Sequence, residues 1–128
     1  MIVAGFVLTG IAALVHIYIF YMESAAWTTS YVRTTFGLTE RQAEATKEMA
    51  FNQGFYNLFL AVMVIVGIAA YAAGSTPVAA ALVFAGAGSM VGAALVLLAS
   101  SPDKRAAALK QGVVPLLGVL ALGVGLVV

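Results

Sequence analysis

Four long apolar stretches, residues 2–23, 52–73, 78–99 and 106–128, are set apart by short polar breaks and one long polar connection at 24–51. None shows the strict alternation of a barrel strand, and four strands would not close a barrel. Each reaches or approaches the roughly 20 residues that a helix needs to cross about 30 Å of hydrocarbon. A helix also satisfies every backbone amide within its own segment, as lipid requires. The pattern predicts an all-α fold: a four-helix transmembrane bundle forming a single membrane domain over 1–128.

The connection has its own pattern. Thr39 followed by Gln42 is a capping-box signature, and Glu40 is favourably placed in the first turn of the helix it would open. From there Glu40, Arg41, Glu44, Lys47 and Glu48 form a mixed, wetted face. No proline intervenes before Pro77, so one helix is predicted from about Glu40 to Ala73, about 50 Å long at 1.5 Å per residue. Its first turns must stand in the cytoplasm or headgroup layer, so the second helix extends beyond the membrane. Upstream, Trp27, Tyr31 and Phe36 lie among threonines, a composition suited to the membrane interface, and Gly37 breaks the chain before Thr39. Pro102 fits the first turn of the last helix.

Composition narrows the class. The chain is 63% hydrophobic and 9% charged, against about 25% charged in an ordinary soluble domain. The net charge of +1 gives no concentrated basic surface, which argues against a nucleic-acid partner. With no cysteine, disulfides and thiolate metal sites are excluded. Residues 1–15 carry no Lys or Arg and the first apolar core is long, so the first span is read as retained rather than cleaved as a signal peptide. Arg33, Arg41, Lys47, Lys104, Arg105 and Lys110 all fall on one side of a four-span fold. The positive-inside rule puts that side in the cytoplasm of a multi-pass cell-membrane protein, with both termini outside.

The costly polar groups collect in two places. His16 and Glu23 lie on the first span, with Tyr18 and Tyr21 near them; Asn52, Gln53, Tyr56 and Asn57 open the second. His16, Phe20, Glu23 and Trp27 share a stripe if the first helix persists that far, because a seven-residue step nearly restores the azimuth. Threading puts Glu23 and the Asn52–Asn57 group at similar depth on consecutive helices, with His16 about 10 Å further in. Charges and imidazoles in lipid usually face a bundle interior or a wet cavity and find partners. On the functional reading His16, Glu23, Asn52, Gln53 and Asn57 form one inner-half pocket, in which His16 and Glu23 move a proton while Asn52, Tyr56 and Asn57 orient a ligand. The structural reading leaves Glu23 in the headgroups, paired with Arg33 or Lys47, His16 bonded across helices, and the amides as interhelical glue. One His, one Glu and amides make a poor metal-ligand set, and no cofactor is implied. In the third span Gly88 and Gly92 form a G-x-x-x-G match, which would suit a close helix contact or a homo-oligomer.

With the His16…Glu23…Trp27 stretch and Asn52-Gln53-Gly54-x-Tyr56-Asn57 in view, the chain resembles a widespread family of small four-span microbial membrane proteins filed as a domain of unknown function. The resemblance covers essentially the whole chain. It implies an integral-membrane fold and no established activity. Small multidrug-resistance transporters are similar in outline, but their glutamate lies well inside the first span and Glu23 lies at its end. The sterol-isomerase-like membrane family is similar in packing His, Glu and Asn into a helical pocket. That likeness would imply a proton-shuttling isomerase on a lipid-like substrate, with His16, Glu23 and Asn57 as its candidates.

Three functions follow. The first is a pocket, lined by His16, Glu23, Trp27, Asn52, Gln53, Tyr56 and Asn57, that binds or transports a small amphiphile or ion, such as a lipid-like ligand from the bilayer. The unlike polarity of the two halves of the chain favours a fixed pocket over alternating access. The second is a membrane enzyme, which needs His16 and Glu23 within reach of one cavity. The third is an accessory subunit, in which those side chains are packed or snorkelled.

Overall fold

A computed structural model describes residues Met1–Val128. Helix α1 (Ile2–Phe20) runs into a π-helical turn (Tyr21–Ala25), and a short α2 (Ser30–Phe36) follows. Then come α3 (Glu40–Ala72), α4 (Thr76–Ser100), a 3₁₀ turn (Pro102–Lys104) and α5 (Arg105–Val127). The four long helices pack as a ring, α1 against α3 and α5, and α4 against the same two. The six basic residues lie at the end where α1 finishes and α3 begins. Met1, Val128 and the α3–α4 turn lie at the other.

The breaks have local causes. Thr39 Oγ1 accepts from Gln42 N (3.2 Å) while Gln42 Oε1 accepts from Thr39 N (2.9 Å), which completes the capping box opening α3. Gly37, at φ 67°, ends α2 in the left-handed region, where Leu38 N donates to Arg33 O at 2.8 Å. Gly74, at φ 86°, makes the corresponding turn between α3 and α4. Pro77 then stands in the first turn of α4, where a missing N–H is harmless.

Small residues fill the interior. Ala12, Ala13, Ala61, Ala79 and Ala87 are buried with Val64, Val83, Met90 and Leu122. Glycines bring the backbones together: a Cβ on Gly5 would stand 2.7 Å from Leu122 Cα, and one on Gly118 would stand 3.0 Å from Thr9 N. The α1–α5 seam thus keeps one antiparallel register, Ile2 beside Gly125, Gly5 beside Leu122 and Thr9 beside Gly118. Large apolar side chains point outward instead, as with Leu14 and Val96 (each 66% exposed) and Leu120 (56%). Such an inversion of the soluble pattern would be ruinous in water and is natural in lipid, where association relies on close packing.

At the basic end, α2 is docked against the bundle. Met22, Ala26 and Val32 form a second small core, flanked by Ile19, Trp27 and Phe36. The Tyr31 hydroxyl meets the Tyr18 hydroxyl at 2.9 Å and so ties α2 back to α1. Arg33 pairs with Glu40 (3.7 Å) and Lys47 with Glu44 (3.8 Å). Neither basic residue is within ion-pair distance of Glu23.

Candidate functional site

The polar seam between α1 and α3 begins at Gly54. A Cβ there would overlap Ser24 Oγ and would come within 3.1 Å of Phe20 O, so only glycine allows the two backbones this approach. Over that contact the Ser24 hydroxyl donates to Phe51 O at 2.8 Å. One turn further along α3, the Asn57 amide donates to Glu23 Oε2 at 2.8 Å and to Gln53 O at 3.3 Å. Depth alone had put Glu23 level with this amide group, and the two elements do meet there.

Azimuth comes from the π-helical turn. Glu23 and Ser24 both lie within Tyr21–Ala25, where an extra residue per turn rotates the chain relative to an ideal α-helix. Ala26 then leaves the helical region at φ −121°. The helix therefore ends before Trp27, and the single stripe from His16 to Trp27 does not persist. Trp27 reaches α3 by another route: its indole N–H donates to Thr46 Oγ1 at 3.0 Å, and Thr46 Oγ1 donates to Gln42 O at 2.7 Å. Phe36 packs against the indole, with ring centroids 5.0 Å apart.

Between these contacts lies an open groove of about 410 Å³, lined by Glu23, Ser24, Trp27, Lys47, Glu48 and Phe51 among others. Of the seven residues singled out in the sequence, it takes in Glu23 and Trp27, and Asn57 holds Glu23 from behind. His16 lies elsewhere. It is buried (2% exposed), with Nδ1 2.9 Å from Ala12 O, one turn back on its own helix. Asn52 is exposed and donates to Glu48 O at 3.0 Å, and Gln53 and Tyr56 are exposed as well. Asn52, Gln53 and Tyr56 thus share a helix with Asn57 without sharing its partner.

Ser24, Thr46, Phe51 and Glu48 join the site unannounced. Ser24 had one available signal, its position beside Glu23 at the depth of Gly54. Thr46 is an uncharged residue within the run from Glu40 to Glu48 and carried no signal of its own.

Four helices long and apolar enough to cross a membrane, with large apolar side chains outward and small ones inward, define a multi-span integral membrane protein. The chain belongs to the family described as "Protein of unknown function (DUF1304)", whose pattern matches residues 10–123 and so takes in the second and third spans whole and most of the first and last. No curated protein and no solved structure matches the chain.

Proposed function

We propose that the protein binds a small amphiphile in a fixed groove at the inner-leaflet boundary, between the end of α1 and the start of α3. Residues 1–128 act as one membrane domain in the cell membrane, with the basic end in the cytoplasm and both termini outside. The connection 24–51 lies in the cytoplasm and the interface. The observation that carries this reading is the Asn57–Glu23 bond at 2.8 Å, which joins the two helices beside an open groove walled by Trp27 and Phe51. A carboxylate at the lipid boundary is retained at a cost, and partners across a helix seam are the usual sign of use.

Native mass spectrometry of the purified protein tests the proposal. The wild type should keep an amphiphile through delipidation, and Glu23→Ala should lose it. Retention of nothing by the wild type, or of the same adduct by both, would overturn the reading.

His16 favours a second reading. The enzyme proposal needs His16 and Glu23 on one cavity, and the residues lining the groove do not include His16. Its burial and its bond within α1 suit an accessory subunit whose histidine is a packed core residue. Gly88 and Gly92 have nothing within 4 Å of an added Cβ, so that face of α4 is open to a second copy or another membrane helix.

A further inference from the structure

We infer that the ligand's head is an organic cation, a primary or quaternary ammonium, and that its single alkyl chain lies along a phenylalanine row on α3. The inference rests on the groove being a binding site, as proposed above.

Charge points to the head. Three carboxylates, Glu23, Glu44 and Glu48, line the groove against one ammonium, Lys47. Lys47 already faces Glu44 at 3.8 Å, and neither Glu23 nor Glu48 has a basic partner. Asn57 gives Glu23 a neutral amide, which satisfies one oxygen and brings no positive charge to it. No three acidic or histidine side chains stand close enough to hold a metal ion. A bare divalent ion would therefore reach too few of the carboxylates, whereas a bulkier ammonium can lie among them. Trp27 supplies the aromatic surface that ammonium groups favour, and its N–H bond to Thr46 fixes the ring.

The chain is indicated separately. Phe51, at the groove, begins a row with Phe55 and Phe59, their ring centroids 5.1 and 6.2 Å apart in turn. Phe51 is 49% and Phe59 56% exposed, so the row presents an open apolar track along α3. From Phe51 to Phe59 it climbs about 12 Å at 1.5 Å per residue, away from the carboxylates and toward the hydrocarbon. A head among carboxylates and a tail on phenylalanines describe one amphiphile seated at the boundary, whereas a soluble cation would leave the track unused.

Trp27 is the only tryptophan, so its emission reports on the groove without a label. The protein, in neutral maltoside micelles, is titrated with decyltrimethylammonium, decyl phosphate, decanol and tetramethylammonium. Decyltrimethylammonium should shift the emission saturably. The other three should bind at least tenfold more weakly. Glu23→Gln should weaken the cationic probe tenfold or more, as should Glu48→Gln, which keeps the test decisive if the first variant fails to fold. Glu40→Gln, a carboxylate outside the groove, should leave binding unchanged. If decyl phosphate or decanol binds as tightly as the cation, the cationic head is refuted and the groove stands. Equal binding by tetramethylammonium refutes the phenylalanine track. Unaltered affinity in both groove variants, or an equal loss in Glu40→Gln, refutes the assignment of the carboxylates. If no probe binds, the inference fails together with the groove itself.

Discussion

Gly54→Ala puts the whole α1–α3 seam to the test. In the native packing an added Cβ overlaps Ser24 Oγ and lies 3.1 Å from both Phe20 O and Ser24 N. The hydroxyl must swing away and give up its bond to Phe51 O, or the helices must part. Losing such a bond costs about 1 kcal/mol, and overpacking a close contact costs about 1–3 kcal/mol. Against this, alanine gains about 1 kcal/mol over glycine in a helix interior. The net expectation is a loss of about 1–3 kcal/mol. Ser24→Ala alone should cost about 1 kcal/mol, and in that background Gly54→Ala should be nearly neutral because the principal obstacle is gone. The pair should therefore be coupled by about 1–3 kcal/mol, within the range seen for residues in contact. The measurement is unfolding by dodecyl sulfate in mixed micelles, followed by the emission of Trp27. If Gly54→Ala stabilises the protein, or costs the same with and without the Ser24 hydroxyl, the close approach at Gly54 does not hold.

Asn57→Ala leaves the half-buried Glu23 carboxylate without its interhelical donor and should cost about 1–3 kcal/mol in the same assay; an unchanged midpoint would mean that the bond contributes nothing. Thr39→Ala removes the capping box and should cost the start of α3 about 1 kcal/mol. Hydrogen exchange should rise over the first turns of α3 while the spans stay protected, and uniform loss of protection would contradict a local role. Gly88→Ala should not lower bundle stability, since nothing lies within 4 Å of the added Cβ; a large loss would show that this face is already packed. The chain has no cysteine, so single cysteines can report sidedness. Ser75→Cys should react with an impermeant maleimide in intact cells, and Glu44→Cys only after lysis; the reverse would invert the proposed orientation.

Much of the architecture was legible because lipid is a demanding solvent. Four long apolar helices were expected and four are found, with α3 opening at Glu40 where its capping box begins. Hydrocarbon thickness and the need to pair every amide leave few alternatives. The capping box at Thr39 and the stop at Gly37 were equally readable, since each is a local event within four or five residues. Threading also placed Glu23 at the depth of Asn57, because depth follows from counting residues along helices of known rise.

Azimuth could not be counted in the same way. An ideal helix would align His16, Glu23 and Trp27; the π-helical turn over Tyr21–Ala25 breaks that periodicity, and no local pattern marks it. It belongs with the contact that Gly54 permits, between residues about thirty positions apart. For the same reason Thr46 and Phe51 could not be recognised as neighbours of Trp27 and Ser24. His16, though on the same helix as Glu23, lies away from the groove. The sequence alone determined that four long apolar helices form and how far along each its polar groups lie, through solvent and helix rise. Which of them face one another was decided by backbone packing at Gly54 and the turn opposite it.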